Sequence, residues 1–283
     1  MENANLKRFQ DELKLRGFSQ ETLRAYIYAN GRFLRFIRKP PKYITTRDIK
    51  RYLHHMIDTK KKPKTINLTI AALKSYYDEY RGRKLFSRIK RLKLEKKMPN
   101  VLSQQELIKM INNTKNPKHK LIIEFLYATG VRAGELTNVK VSDLDLENKF
   151  VRILFGKGKK DRLTILSDHL CNELKEYLKY RPNNVYLFES NRGSKLTVRA
   201  VEEIVKKASY DIKRRVYPHA LRASFATHLY DNGTQLQKIQ KLMGHSNWKT
   251  TQVYINSSTV DISGIENPLD KIKKEIRDSA SEA

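Results

Sequence analysis

A strongly basic stretch without hydrophobic periodicity, residues 88–100, divides the chain into two segments that are expected to fold separately. Its sequence is Arg-Ile-Lys-Arg-Leu-Lys-Leu-Glu-Lys-Lys-Met-Pro-Asn. Its charge and its closing proline favour an interdomain linker, with a frayed helix end as the alternative. The 283 residues suffice for two domains that each bury a core. We therefore predict a helical domain at 1–90, a linker at 91–100, a second domain at 101–256 and a tail helix at 257–283.

The first domain is predicted to be helical throughout. Apolar residues recur at helical spacing in four stretches, and helix-ending residues separate them. Gly17 ends the first stretch, and Pro40 with Pro41 ends the second. Ser19 and Thr46 stand where the second and third helices need an N-terminal cap. We expect a small four-helix domain whose polar faces are rich in lysine and arginine.

The second domain is predicted to combine helices with a small antiparallel sheet. The segment Ser103–Glu106 carries a capping box that opens a helix. Two segments, Val139–Leu144 and Phe150–Phe155, have the composition of strands, and the chain returns through residues 163–166 after a Gly/Lys-rich turn. Helical spacing then resumes. The expected fold class is mainly α with a small antiparallel β-sheet (α+β), as a helical N-terminal domain followed by a mixed C-terminal domain.

The net positive charge of the chain indicates which class of molecule it binds. The chain carries 58 Lys and Arg against 30 Asp and Glu, a formal net charge of +28, and 27 of the basic residues lie within the first 100. A field of this sign and size attracts polyphosphate, so we expect a nucleic acid as partner. A ribosomal-type or merely solvated basic surface would have the same composition, and charge alone does not distinguish DNA from RNA.

Other patterns exclude several classes of protein. No stretch approaches the roughly 18 to 20 apolar residues that a membrane span needs, and the polar start lacks the apolar core of a signal peptide. Cys171 is the single cysteine, which rules out an internal disulfide and a cysteine-rich zinc cluster and fits a reducing compartment. We therefore expect a soluble, cytoplasmic protein without a membrane partner.

Six residues of the second domain could together cleave a phosphodiester bond without a metal ion. They are Arg132, Lys157, His219, Arg222, His245 and Tyr254. Each alone has an ordinary explanation, such as a surface charge or half-buried packing. Two guanidinium groups suit the non-bridging oxygens of a phosphate, because they stay charged and bind in a forked geometry. Lysine and imidazole can move protons, and a tyrosine nucleophile stores the bond energy in an ester, so that rejoining needs no ATP.

The order of these residues resembles the tyrosine recombinase (phage integrase) family. The order is Arg, Lys, His-x-x-Arg, Gly-His and Tyr, with nine residues from His245 to Tyr254. The words Ala-Thr-Gly-Val-Arg-Ala-Gly-Glu-Leu, Gly-Lys-Gly-Lys-Lys-Asp-Arg, His-Ala-Leu-Arg-Ala-Ser-Phe-Ala-Thr-His-Leu and Leu-Met-Gly-His-Ser also look like boxes of that family. The match spans most of 101–256, and the two-part layout is similar to Xer-type recombinases, those of archaea in particular.

The resemblance implies a complete reaction. It implies a site-specific recombinase that cleaves double-stranded DNA through a 3′-phosphotyrosyl intermediate and exchanges strands through a Holliday junction. Four protomers would assemble on the DNA, and no cofactor, metal ion or ATP would be needed. Resolution of chromosome or plasmid dimers is the expected biological role. The sequence predicts neither the target site nor an accessory or motor protein.

The resemblance also implies how protons move. Tyr254 would attack the phosphorus, with His219 assisting as the base. Lys157 would act as the general acid for the leaving 5′-oxygen. Lys159 stands at the same hairpin tip and is the rival for that role, but Lys157 directly follows the first glycine, as in the family's Gly-Lys-Gly word.

The remaining matched positions would bind the phosphate. Arg132 and Arg222 would hold the scissile phosphate, and His245 would donate a hydrogen bond to a non-bridging oxygen. Glu135 looks like the family's Arg-x-x-Glu acid and would brace the site rather than react. The sequence departs from the family at Ala223, where a histidine often follows the second arginine; no catalytic role is assigned to that position.

The tail carries an apolar stripe at near-helical spacing, made by Ile262, Ile265, Leu269, Ile272 and Ile276. A helix packed on its own domain would have this pattern, and the resemblance implies instead a helix that docks on a neighbouring protomer. Two other functions stay open at this point. One is a type IB topoisomerase-like enzyme that relaxes supercoils as a monomer, and the other is a DNA-binding factor without a reaction. The tail helix and the basic N-terminal domain favour the recombinase.

Overall fold

The computed structural model describes residues 2–94, 100–154, 161–244, 267–270 and 272. The chain forms two compact units, residues 1–97 and residues 98–283. The first unit is helical, and the second adds one three-stranded antiparallel sheet to its helices. The predicted class, mainly α with a small antiparallel sheet, is confirmed.

The described part of the first unit contains four α-helices. Their bounds are α1 Glu2–Leu15, α2 Gln20–Ile37, α3 Thr46–Asp58 and α4 Pro63–Lys74, with a 3-10 turn at Pro41–Tyr43 and a π-helical turn at Ser75–Tyr80 that prolongs α4. Pro63 opens α4, a position where the missing N–H of proline costs no hydrogen bond. The four predicted helices are therefore present.

Side-chain caps fix where two of these helices begin. The Ser19 hydroxyl accepts a hydrogen bond from the backbone N–H of Thr22, at 3.2 Å, as predicted for the start of α2. The prediction of Thr46 as the cap of α3 is wrong by one residue, because Thr45 is the cap. Thr45 has Asp48 three residues later, and each side chain binds the other's backbone N–H in a complete capping box.

An aromatic core joins the helices of the first unit. The rings of Phe9 and Tyr76 meet edge to face at 5.0 Å, and those of Phe33 and Tyr77 do so at 6.0 Å. All four side chains are fully buried. Asn30 adds a polar link, since its side-chain N–H donates to the carbonyl of Ala72 in α4 at 3.1 Å. These contacts hold α1, α2 and the end of α4 around one apolar centre.

The second unit surrounds one buried helix. Its elements are α5 Gln104–Asn112, α6 Pro117–Thr129, α7 Ala133–Leu136, β1 Leu144–Asp145, β2 Phe150–Ile153, β3 Arg162–Ile165, α8 Asp168–Lys179, α9 Val198–Ala208, α10 Pro218–Asp231 and α11 Leu236–Met243. Every residue from 121 to 130 is buried, so this part of α6 is enclosed on all sides, which is typical of a central helix. It packs against α8 and α10. No helix in the described part of the chain combines the length and apolar composition needed to span a bilayer.

The sheet has the order β1-β2-β3 with antiparallel neighbours, and β2 pairs with β3 from Phe150–Ile165 to Ile153–Arg162. The prediction of a strand over Val139–Leu144 is wrong except at its last residue. Val139 and its neighbours form hydrogen bonds instead with the segment around Leu187. The N–H of Leu187 donates to the Val139 carbonyl at 2.9 Å. A 3-10 turn follows before β1 begins. Apolar composition there reflects packing rather than a long strand.

Gly130 ends α6 in a conformation that a larger residue cannot share. Its φ is +60°, and a Cβ atom would overlap the ring of Phe225 in α10. We predict that Gly130→Ala lowers the free energy of unfolding by about 2 to 4 kcal/mol, because left-handed strain adds to overpacking. Denaturant titration followed by circular dichroism measures the loss.

Gly233→Ala is the matched control for this prediction. Gly233 also has positive φ, at +83°, but open space surrounds it. Its substitution is expected to cost only the backbone strain of about 1 to 2 kcal/mol. Equal losses for the two variants would contradict the packing argument at Gly130.

Candidate active site

Arg222 is a buried cation at the junction of three helices. It lies in α10 with 1% of its surface exposed. Its two terminal nitrogens donate short hydrogen bonds to the backbone carbonyls of Gly130 and Met243. These carbonyls lie at the C-terminal ends of α6 and α11, where the helix dipole is negative and carbonyls lack partners within the helix. The fold therefore holds this guanidinium in one position.

Two glycines create the carbonyl pair that binds Arg222. Gly130 caps α6 with φ +60°, and Gly244 caps α11 with φ +59°. Each N–H closes the last helical turn, onto Leu126 and Gln240 respectively. Both helices therefore end at a glycine in the left-handed conformation.

Arg132 and Glu135 form a second part of the same site. The short helix α7 begins directly after Arg132, and Glu135 lies at its third position. The Glu135 carboxylate accepts from the Arg132 backbone N–H at 2.9 Å and from its guanidinium at 2.7 Å. The Arg132 side chain is 31% exposed. Its guanidinium can therefore contact a ligand from solvent while one of its nitrogens stays bound to Glu135.

Arg162 is a third arginine of the site, and the sequence analysis did not select it. It opens β3, and its terminal nitrogens donate to the two carboxylate oxygens of Glu135 at 3.0 and 2.7 Å. Its Nε donates to the carbonyl of Leu242 in α11 at 2.8 Å. The signal that could have found it is its position as the last residue of the word Gly-Lys-Gly-Lys-Lys-Asp-Arg.

The charges of this cluster shift one another. Burial would raise the pKa of Glu135, but the hydrogen bonds from Arg162 and Arg132 outweigh it and lower the pKa to about 2. Burial, together with the positive charges of Arg132 and Arg162, lowers the pKa of Arg222 to about 9, and Glu135 partly offsets that shift. Glu135 and Arg222 therefore both stay charged at neutral pH. An anion would be stabilised beside these three arginines.

His219 lies in the first turn of α10, three residues before Arg222. Pro218 occupies the first helical position, which suits its fixed φ. The His219 side chain is exposed, whereas Arg222 is buried. The structure thus places one proposed base and one proposed phosphate ligand a single helical turn apart on the same helix.

Three of the predicted site residues, Lys157, His245 and Tyr254, lie outside the described residues, as does the rival Lys159. Two described residues that lie near them in sequence belong to the arginine cluster or adjoin it. Arg162, after the hairpin connection, belongs to the cluster, and Gly244 directly precedes His245. Across residues 2–94, 100–154, 161–244 and 267–272 without 271, no group of three or more His, Cys, Asp or Glu side chains could hold a metal ion.

Comparisons with known proteins agree on one family. Residues 100–260 match the sequence profile described as the phage integrase family, and residues 6–86 match that of the phage integrase N-terminal SAM-like domain. Tyrosine recombinase XerA of Pyrococcus horikoshii is 36% identical over 258 residues, which cover 90% of this chain and 89% of that protein. Tyrosine recombinase XerD of Oceanobacillus iheyensis is 33% identical over 263 residues, covering 84% and 88%.

A solved structure shares the fold. The crystal structure of a lambda integrase tetramer bound to a Holliday junction has a TM-score of 0.70, with 20% sequence identity over 89% of this chain and 76% of that one. A lambda integrase dimer bound to a core site gives the same TM-score over 93% and 78%. At this level of identity the likeness concerns the fold alone.

The Glu135 ion pairs predict an acid-sensitive contribution to stability. Because the folded-state pKa of about 2 lies below the ordinary 4.5, the ionised carboxylate stabilises the fold fully above pH 4.5 and loses this effect as the pH falls through 2. We predict that the advantage of the wild type over Glu135→Gln in unfolding free energy shrinks by about 3 kcal/mol between pH 5 and pH 2. Denaturant titrations at several pH values measure it.

Glu203→Gln provides the comparison. Glu203 pairs with Lys206 at 3.4 Å on the surface of α9, with both side chains about half exposed. Such a pair contributes at most about 1 kcal/mol, so its pH dependence should be much smaller. A difference between wild type and Glu135→Gln that stays constant over this pH range would contradict the assigned pKa.

Proposed function

Because the chain belongs to the phage integrase family and is a tyrosine recombinase, we propose that it cleaves and rejoins double-stranded DNA at specific sites through a covalent bond to Tyr254. The observation that carries this proposal is the convergence of Arg132, Arg222 and Glu135 on one cluster. Arg132 and Glu135 lie at the start of α7 and Arg222 lies in the distant helix α10, and each matches a position of the family's pattern.

We assign the arginines to the scissile phosphate. Attack on a phosphodiester produces a pentacovalent phosphorane that carries more negative charge on its non-bridging oxygens than the starting diester. Arg132, partly exposed, and Arg222, fixed by two helix ends, would each neutralise part of that charge. His245 would add a hydrogen bond to a non-bridging oxygen, and Glu135 would keep Arg132 in place.

The remaining groups would move protons and bonds. The phenolic oxygen of Tyr254 attacks the phosphorus while His219 accepts its proton, and a 3′-phosphotyrosyl ester forms. The bond to the 5′-oxygen breaks, and Lys157, or its rival Lys159, gives that oxygen a proton. A 5′-hydroxyl of the partner strand then attacks the ester and releases Tyr254. One phosphoester replaces another in each step, so neither ATP nor a metal ion is needed.

The whole reaction would take four protomers and two duplexes, which exchange strands in sequential pairs through a Holliday junction. The first domain, 1–90, would bind DNA together with the linker at 91–100, while 101–256 would carry the chemistry. In support, α2 exposes Arg24, Arg32 and Arg35 with Tyr28 among them. Basic residues on one helix face suit a phosphate backbone, and the tyrosine adds contact area.

The described part of the tail, residues 267–270 and 272, packs on its own unit. Asn267 donates from its side chain to the carbonyl of Ala128 in α6 at 2.8 Å, and Leu269 and Ile272 are fully buried in the core of the second unit. We propose that the tail helix, 257–283, takes this position in the free protein. Docking on a neighbouring protomer in the tetramer would first require these contacts to open.

The biological role proposed is resolution of chromosome or plasmid dimers, and hence a part in chromosome partition during the cell cycle. The similarity to relatives named Xer over nine tenths of the chain supports it. This role places the protein in the cytoplasm with its DNA, where the buried thiol of Cys171 stays reduced.

Tyr254→Phe tests the nucleophile. On a nicked suicide substrate, from which the 5′ fragment diffuses away, the wild type should accumulate a covalent protein–DNA adduct and the variant should form none. DNA affinity should change less than about twofold, because a single hydroxyl contributes little to a backbone-dominated interface. Tyr180→Phe, at an 85% exposed tyrosine, should behave as wild type. Adduct formation by Tyr254→Phe would refute the assignment.

Arg132→Ala tests the phosphate clamp. Removing one preorganised donor to developing negative charge costs about 100- to 1,000-fold in rate, so single-turnover cleavage should slow by that factor. Arg181→Ala is the control, since Arg181 is exposed and lies over the ring of Tyr177 at 4.8 Å, away from the cluster. A loss below about tenfold for Arg132→Ala would argue against its contact with the phosphate.

A further inference from the structure

Every nitrogen of the Arg162 guanidinium has a protein partner. Nη1 and Nη2 bind the two oxygens of Glu135, and Nε binds the carbonyl of Leu242. The side chain is only 8% exposed. Three of its five N–H groups are thereby bound to protein oxygens, whereas the Arg132 guanidinium is partly exposed.

Arg162 and its two partners belong to segments that carry the proposed chemistry. Glu135 belongs to the short helix α7, directly after Arg132. Leu242 lies in the last turn of α11, three residues before His245. Arg162 itself opens β3, five residues after Lys157. One side chain therefore joins the ends of three segments that are distant in sequence.

The link to Arg132 runs through a shared oxygen. Oε1 of Glu135 accepts from Arg132 at 2.7 Å and from Arg162 at 3.0 Å. Arg162 also occupies Oε2, so the carboxylate cannot turn toward Arg132 alone. The planar fork of an arginine matches the two oxygens of one carboxylate, whereas a lysine presents a single charged atom.

The link to α11 is a close packing contact as well as a hydrogen bond. A Cβ atom at Gly244 would lie 2.8 Å from Cδ of Arg162, so the aliphatic part of the arginine lies against a glycine backbone. Nε and Cδ together fix the last turn of α11 relative to β3. The chain that leads to His245 and Tyr254 starts from this fixed end.

We propose that Arg162 is a positioning residue, which is anchored on the end of α11 and sets the position of Arg132 through Glu135. In this role it acts through Arg132 rather than on the scissile phosphate itself. This inference rests on the proposed role of Arg132 and adds a residue that positions it.

The test compares Arg162→Gln and Arg162→Lys with wild type in single-turnover adduct formation on the nicked substrate. Misplacing a reacting group by about 1 Å costs about 100-fold, so Arg162→Gln should slow cleavage by about that factor with DNA affinity within about twofold. Arg162→Lys keeps the charge but not the fork and should recover part of the rate. Arg152→Gln, an exposed arginine that pairs with Leu163 across the same hairpin, should match wild type.

A second substrate separates positioning from general damage to the fold. A methylphosphonate at the scissile position lacks one charged non-bridging oxygen, so the reaction needs less help from Arg132. If Arg162 acts through Arg132, the losses caused by Arg132→Ala and by Arg162→Gln should both shrink by at least about tenfold on this substrate. A variant that is merely unstable would be slowed equally on both substrates.

Two results would overturn the inference. One is cleavage by Arg162→Gln within about threefold of wild type on the phosphate substrate, and the other is an equal loss on both substrates. Should Arg162→Gln not fold in thermal unfolding, Arg162→Lys decides by the same criteria. Adduct formation by Tyr254→Phe would instead refute the proposed function, so the two failures are distinguishable.

Discussion

The site depends on one buried cation. Removing a guanidinium from water costs several kcal/mol, and the second unit offsets this cost for Arg222 with the carbonyls of Gly130 and Met243. Both carbonyls belong to helix ends that stop at a glycine with positive φ. If either helix end were missing, the guanidinium would lose one of these two carbonyl partners. The positions of α6, α10 and α11 are therefore tied to each other through this side chain, and the rest of the site is built around it.

Around Arg222 the site contains a network of ion pairs, in which one carboxylate binds two arginines. Glu135 holds Arg132 on its exposed side and Arg162 on its buried side, and both arginines lower the pKa of Arg222. One carboxylate cannot neutralise three guanidinium groups. It fixes two of them and leaves the cluster with an excess of positive charge, which suits a site for a phosphate.

Local patterns predicted most of this architecture, and contacts between distant segments explain what they did not predict. Capping boxes and helix-ending residues located the helices, and the short words around Arg132 and Arg222 indicated two members of the site. Arg162 was not selected because its partners lie 27 and 80 residues away in the sequence. The spacing of residues within a short segment cannot predict such contacts. The wrong strand at 139–144 has the same cause, since Val139 pairs with a segment nearly 50 residues later.

The arrangement also explains why rigid arginines suit this chemistry. Charges of one sign that are held together repel each other in the free protein, and the fold maintains them there through Glu135 and the two helix ends. An anion that binds among them gains from attraction and from relief of that repulsion, and the gain grows with its charge. The phosphorane carries more charge than the diester, so cations that are already in place stabilise the transition state more than the substrate. Fixed positions thus favour catalysis over simple binding.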